Sequence, residues 1–300
     1  MRVLVFGGTG VLGRPTVRAL VANGHDVVAA SRSTRRVIAV ADVTHTIADL
    51  LDADAVDRVI AEHQPEVVVH VATGLPPAGP TRWSHVASTN ALRSTGTRTL
   101  AAAAVRHGVR RIVSQSFIGG YTPTNDPTMR LNEDATFGDA TTGSRGLRAT
   151  VDALRELEQH TLHSDIEGVA LRLGLFYGDP DATAALETML RRRLPLPGGL
   201  PGVVSFVHID DAATAIVAAV ERAPAGSVYN VATGEPATVG DYIRGVARAV
   251  GAPRPIDVPL AIGRIAAPAV AEFSCKHRPL DATRIIKDLG WSPAGGPLPH

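Results

Sequence analysis

Apolar residues along the chain fall into short unbroken runs that end in glycine or polar residues, and between these runs they recur at helical spacing. Val3-Leu4-Val5-Phe6 is the first run, and it stops at Gly7-Gly8. A run without alternation, rich in β-branched residues, suits a parallel strand buried on both faces. Residues 11–23 then carry Val11, Leu12, Val17, Leu20 and Val21 on one helical face, with Gly24 as the stop. The same reasoning predicts strands at 27–31, 37–41, 67–71, 111–114 and 168–173. Helices are expected at 52–62, 90–107 and 149–163. Strand–helix alternation of this kind predicts an α/β fold with a doubly wound parallel sheet.

Beyond Tyr177 the rhythm changes. Pro195, Pro197, Gly198, Gly199, Pro201 and Gly202 form a loop cluster, and helices are expected at 210–221 and 239–250. The expected organisation is a nucleotide-binding core over 1–178 and a smaller C-terminal substrate lobe over 179–300, with some segments returning to the core. Substrate pockets often form between such lobes.

Composition narrows the function classes. The 300 residues are 45% hydrophobic with a net charge of +1, so nothing draws the chain to nucleic acid or an anionic membrane. No apolar run approaches the ~18 residues a membrane span needs, and the opening run is too short for a signal peptide. Cys275 is the single cysteine, which fits a reducing, cytoplasmic setting. The sequence gives no expectation of oligomeric state.

Gly7-Gly8-Thr9-Gly10-Val11-Leu12-Gly13 joins the first strand to the first helix. Glycines let the backbone turn tightly and approach a pyrophosphate, while the helix start offers free N–H groups and a positive dipole end. The strand-before, helix-after context makes this cofactor-binding reading specific. The glycines stand at 7, 10 and 13, which resembles the extended or atypical branch of the short-chain dehydrogenase/reductase family. Further resemblances follow in the family's order. Asp42-Val43 resembles the adenine-contacting turn, and Ala72-Thr73 with Gly74 the loop after the fourth strand. Asn90 with Gly96-Thr97 resembles a conserved helix start, Ser114-Gln115-Ser116 the end of the fifth strand, and 171–178, including Leu173 and Phe176, the segment after the sixth. Phe206 to Ala212 and Leu289 to Pro293 resemble marks of the extended branch. The resemblance implies a Rossmann-type core, and Asp42, Val43, Ala72, Thr73, Asn90, Ser114 and Leu173 as cofactor contacts.

The second strand ends Ala30-Ser31-Arg32, with Arg35 and Arg36 beyond. An acidic residue there would bond a ribose 2′-hydroxyl, whereas arginine suits a 2′-phosphate. NADP(H) is therefore expected, with Arg32, Arg35 and Arg36 as its candidates.

Family members typically carry Tyr-x-x-x-Lys near the start of the helix expected from Ala149. Here the tyrosines are at 121, 177, 229 and 242, none has lysine four residues on, and lysine occurs only at 276 and 287. That pair exists at no register of this chain. By resemblance Ser116 is the residue that orients a substrate carbonyl. Tyr121 and Phe117 follow it, and with Gly74, Leu75 and Phe176 they are expected to line the acceptor site. A proline-rich loop over 74–83 is placed to act as a lid. Arg145 and Arg148 stand near the lost pair, but an arginine is a poor proton donor.

The expected activity is reduction of a carbonyl on a bulky aromatic, polyketide-type small molecule by NADPH, with the proton brought by the substrate. A non-catalytic NADP-binding redox sensor and a sugar-nucleotide epimerase or dehydratase are the alternatives. His160 and His163 beside Glu156 have no third ligand nearby in sequence, so no metal is expected. His70, at the end of an apolar strand, reads as a satisfied core histidine, and an aspartate after His208 as a helix cap.

Overall fold

A computed structural model of the chain describes residues 1–33, 40, 42–76 and 79–299. Its first half runs β1 (Arg2–Phe6), α1 (Gly13–Ala22), β2 (Asp26–Ser31), β3 (Val43–Ile47), α2 (Ala53–His63), β4 (Val67–His70) and α3 (Ala87–Ala91). A π turn (Leu92–Gly96) leads into α4 (Thr97–Arg106), followed by β5 (Arg111–Phe117), α5 (Arg145–Leu162) and β6 (Glu167–Leu173). Next come β7 (Leu175–Tyr177), α6 (Pro180–Arg191), β8 (Pro195–Pro197), β9 (Val203–Val204), β10 (Phe206–His208) and α7 (Ile209–Arg222). The chain continues through β11 (Ser227–Val231), β12 (Ala237–Thr238), α8 (Val239–Ala249), β13 (Ile256–Val258), α9 (Leu260–Ala266), α10 (Pro268–Phe273) and α11 (Thr283–Leu289).

Seven parallel strands form the central sheet in the order β11-β6-β5-β4-β1-β2-β3. The continuous apolar runs explain it, because each strand buries both of its faces. Val3, Val5, Val27 and Val69 face Leu20 of α1 and Ala215 and Ile216 of α7. Leu4, Phe6, Val68 and Ile112 face Val56 and Ile60 of α2 and Leu100 of α4. Alternate residues of one strand thus serve opposite layers. The chain's direction across the sheet reverses between β1 and β4, the place where α/β sheets of this kind open a ligand crevice.

Several boundaries differ from expectation. The strand predicted at 37–41 falls, apart from Val40, outside the described residues; β3 lies at Val43–Ile47, an edge strand with polar side chains whose pattern is weak. The helix expected from Ala149 starts at Arg145, because Ser144 caps it by accepting the Leu147 N–H at 3.2 Å. The helix expected over 90–107 begins at Ala87 and is interrupted by the π turn. The cap of α7 is His208, whose Nδ1 accepts from the Asp210 amide. Asp211 instead accepts from the Ala294 and Gly295 amides and the Thr233 hydroxyl.

The C-terminal residues add short strand pairs, β7 with β10, β8 with β13 and β9 with β12. They also return β11 to the edge of the central sheet beside β6. Among the described residues no helix is long and apolar enough to cross a membrane, and no group of three His, Cys, Asp or Glu side chains is placed to hold a metal ion.

Candidate functional site

Parallel strands bring the ends of β1, β2, β4, β5 and β6 to one edge of the sheet, where the sequence-predicted positions meet. Gly7 has φ +85°, and a Cβ there would stand 2.6 Å from the Ala72 Cα. Glycine is therefore needed for both the turn and the contact with the loop after β4. A Cβ on Gly13 would lie 2.0 Å from the Gly7 carbonyl, so α1 presses directly on the turn. Gly7 and Gly8 donate to the Ala30 carbonyl at 3.0 and 3.2 Å, which ties the turn to β2. Among the described residues, the amides of Thr9, Val11, Leu12 and Gly13 have no backbone acceptor. Unpaired amides at the head of a helix form a ready anion cradle. The residues present thus fit a dinucleotide's pyrophosphate.

Arg32 follows β2 and is exposed, whereas Arg35 and Arg36 lie outside the described residues. Asp42 is exposed with φ +65° and leads into β3 at Val43. Ala72 is half-buried, and Thr73 and Leu75 are exposed. His70 fixes this loop: its Nδ1 accepts from the Ala72 amide and its Nε2 donates to the Leu92 carbonyl, both at 3.3 Å. Desolvation pushes His70 down to about 4, so it is a neutral bracket between β4 and the π turn. Gly74 donates to the Thr89 hydroxyl at 2.9 Å, which binds the loop to α3.

At β5 the structure corrects the sequence reading. Ser116 is 0% exposed and donates to Glu158 Oε1 of α5 at 2.6 Å. Ser114, on the same face, accepts from the Thr161 hydroxyl at 2.8 Å and is equally closed to a ligand. Both hydroxyls are spent on α5, so neither presents itself to an acceptor or cofactor. Tyr121 is also closed, at 1% exposed. Its hydroxyl accepts from Arg172 and donates to Asn230, each at 2.8 Å, and burial pushes it up to about 12. Leu173 is fully buried in the layer under α7, against which the half-buried Phe176 packs.

Strand parity explains what takes their place. With 114 and 116 turned to α5, Gln115 and Phe117 occupy the other face. The Gln115 Oε1 is buried without a partner, as is the Asn90 Oδ1. Asn90 uses its amide nitrogen on Thr150 of α5 at 3.2 Å. Phe117 stacks on Phe273 of α10, with ring centres 5.5 Å apart. Buried acceptors left unfilled call for a partner outside the chain's own hydrogen bonds.

The head of α5 carries Ser144 and, one turn on, Arg148. Ser144 donates through its amide and hydroxyl to Glu272 at 2.7 and 2.6 Å, and Trp83 donates to the same carboxylate at 3.0 Å. Arg148 is exposed and folds back on the Gly143 carbonyl; Arg145 is exposed as well. Glu272 therefore latches the loop after β4, the start of α5 and α10 together, and Ser144 and Arg148 stand four residues apart at the head of α5.

Comparison with known protein families matches residues 3–232 to the NAD dependent epimerase/dehydratase family. The chain belongs to that family. It is 40% identical to a 3-diazoavenalumate denitrifying reductase from a Streptomyces species, over 98% of this chain and 96% of that one. It is 31% identical to the 2-alkyl-3-oxoalkanoate reductase of Stenotrophomonas maltophilia, over 85% of this chain and 77% of the relative. The fold matches a UDP-glucose 4-epimerase of Thermus thermophilus solved with NAD, with TM-score 0.78 at 24% identity over 100% and 96% of the two chains. It also matches a dTDP-glucose 4,6-dehydratase of Streptomyces venezuelae solved with NAD and TYD, with TM-score 0.79 at 22% identity over 99% and 93%.

Membership makes this an enzyme of an NAD(P)-dependent oxidoreductase family. The epimerase/dehydratase glycine turn and sheet edge were legible in the sequence. Gln115, Phe273, Glu272 and the inward turn of Ser116 were not. The apolar–polar pattern of β5 is too short to fix parity, and α10 lies more than a hundred residues away in sequence.

Proposed function

We propose that the protein is an NADPH-dependent ketoreductase acting on a bulky aromatic, polyketide-type molecule, with residues 1–178 holding the cofactor and 179–300 contributing most of the acceptor lobe. One observation carries this reading: the head of α5 offers Ser144 and Arg148 in place of any tyrosine–lysine pair, and the nearby hydroxyls of Ser116 and Tyr121 are locked in the interior. The cleft can align a hydride donor and acceptor without having a titrating acid of its own. Both reductase relatives support reduction as the reaction class.

The nicotinamide, when bound, supplies the hydride. The unpaired amides of the glycine turn would hold the pyrophosphate, and Arg32 would pair with a 2′-phosphate. Gln115 Oε1 and Asn90 Oδ1 are unfilled acceptors that would take an N–H or O–H of a bound molecule, and Phe117 with Phe273 gives a flat apolar wall. Alignment of two reactants supplies about 7–11 kcal/mol, whereas a positioned acid supplies about 10²–10⁴-fold in rate. An acceptor whose own phenol is hydrogen-bonded to its carbonyl replaces that acid. Hydride adds to the carbonyl carbon, the phenolic proton moves to the oxygen, and the phenolate regains a proton from water.

A second reading has its own support. The 40% identical relative is named for a diazo-bearing carboxylate and for loss of nitrogen. Hydride added to an aryl diazonium expels N₂ and needs no acid, which suits the same cleft. Anaerobic NADPH oxidation with hydroxyl-flanked polycyclic ketones and with aryl diazo compounds tests both. Ketone turnover giving a single alcohol enantiomer supports the first, N₂ release the second. Inertness to every acceptor together with tight NADP binding removes both readings in favour of a sensor.

A further inference from the structure

Among the described residues four arginines are buried: Arg93, Arg111, Arg172 and Arg278. Arg111 meets Glu167 and the carbonyls of Ala219 and Val220. Arg172 meets Glu158, and Arg278 donates its Nε to the Tyr121 carbonyl but leaves its Nη1 without a partner. Arg93 makes no hydrogen bond of this kind. It is 7% exposed, and among the described residues neither a carboxylate nor a hydrogen-bond acceptor meets its guanidinium. Its charge faces the Phe117 ring, 5.9 Å from the ring centre. Burial lowers it to about 10, which still leaves it cationic at neutral pH. The neighbouring His70 is neutral and cannot offset it.

A buried cation without a partner is disfavoured in a folded chain unless something else binds there. Its setting is also unusual. Arg93 lies in the π turn, a local widening that re-aims side chains and recurs at functional sites. Phe117, its one neighbour of note, stands at the crevice end of β5 on the face that also carries the orphaned Gln115 oxygen. The guanidinium has five donors in a fixed fork, well matched to an anionic oxygen.

The geometry points to Arg93 as the seat of an anionic oxygen on the acceptor, a phenolate or carboxylate carried by an aromatic ring lying against Phe117. The inference rests on the reading that the crevice takes an aromatic acceptor. It also completes that reading chemically. A fixed cation beside the acceptor's phenol makes that phenol a stronger acid and then stabilises the phenolate left after its proton passes to the carbonyl oxygen. Charge, in this chain, stands in for a titrating residue.

The test uses 4-nitrophenol, whose ionisation is visible in its absorbance, with the full-length protein saturated with NADP. Wild type is expected to lower the pKa of bound nitrophenol by about one unit or more. Arg93→Met is expected to abolish that shift and weaken the ionised form on the order of 10²-fold. Binding of neutral 4-nitroanisole should change less than about threefold, and Arg93→Lys should restore part of the shift. The Met variant should melt no lower than wild type, since it removes an unpaired buried charge. Three outcomes overturn the assignment: an unchanged nitrophenol shift in Arg93→Met; weakened NADP with nitrophenol unaffected, which assigns the cation to a cofactor phosphate; or a fall of several degrees in melting with anion and anisole weakened alike, which makes Arg93 structural. A nitrophenol shift without ketone turnover leaves Arg93 standing and removes the reductase reading. Turnover without the shift does the reverse.

Discussion

Glu158→Gln isolates the interior ion pair that replaces an active-site role for Ser116. Glu158 receives two donors from Arg172, Nε at 2.9 Å and Nη2 at 2.8 Å, and a third from the Ser116 hydroxyl. Arg172 is packed between the rings of Tyr121 and Phe137, its guanidinium carbon 4.9 and 3.8 Å from their centres. It also reaches the Glu133 carbonyl and the Tyr121 hydroxyl, so its donors are well used, but its countercharge is Glu158. Desolvation acts to lower the Arg172 pKa, and Glu158 together with the Tyr121 hydroxyl outweighs it and holds it above its ordinary value. Glutamine keeps the shape and removes the charge. Breaking one side of a buried pair costs about 3–5 kcal/mol, while replacing both by apolar residues often costs little. With an unfolding entropy of about 2.1 cal/mol/K per residue, a cooperative chain of this length should lose about 5–8 °C in melting temperature. Differential scanning calorimetry of Glu158→Gln and of the Glu158→Leu/Arg172→Met double variant measures this. The single variant should melt lower than the double, and both should keep near-wild-type kcat well below their melting points. A single variant within a degree of wild type would refute the pairing argument. A loss of kcat at full foldedness would refute the claim that this network stands outside the crevice.

Other consequences are direct. Ser116→Ala removes one hydrogen bond to a charged acceptor and should cost about 1.5–3 kcal/mol in chemical denaturation while leaving kcat within about threefold; a thousandfold fall in kcat would return Ser116 to the chemistry. Arg32→Asp should raise KM for NADPH about 10–100-fold, the scale of one charge-assisted contact, and improve use of NADH; steady-state kinetics with both donors reads this, and unchanged preference excludes Arg32 as the phosphate contact. His70 is protonated in the unfolded chain below about 6.5 but in the fold only near 4, so stability is full above pH 6.5 and is lost as pH falls toward 4. The loss is about 2–3 kcal/mol, and denaturant titrations at pH 7.5 and 4.5 should show it in wild type and not in His70→Asn.

The core and the glycine turn were legible in the sequence because both rest on local signals. An apolar run such as 67–70 can only be a strand buried on two faces, and glycines at 7, 10 and 13 can only be a turn pressed against a strand and a helix. Parity and distance defeated the rest. In β5 both faces are covered, so apolar pattern does not say whether Ser116 or Phe117 looks into the crevice; the polar layer of Glu158 and Arg172, at positions no motif links, decides it. The head of α5 was hidden because Arg145 and Gly146 carry no helical apolar period, and its signal was the serine cap. The π turn has no propensity signature, so nothing in the sequence singled out Arg93 within the helix expected over 90–107.

Under the proposed reading, these features favour reduction over the epimerase and dehydratase reactions named for the structural neighbours. Those reactions require a group that both takes and returns a proton. At the head of α5 the available hydroxyl is Ser144, which already donates to Glu272, and that carboxylate also accepts the Ser144 amide and the Trp83 indole. A serine is a far weaker acid than a tyrosine, and a carboxylate filled by three donors is a latch before it is a base. The cations are Arg148, folded back on a carbonyl, and Arg93, permanently charged. A fixed cation stabilises negative charge as it forms. On the proposed ketoreductase reading, a crevice so equipped suits a reaction in which hydride enters the acceptor and the acceptor's own phenol supplies the proton.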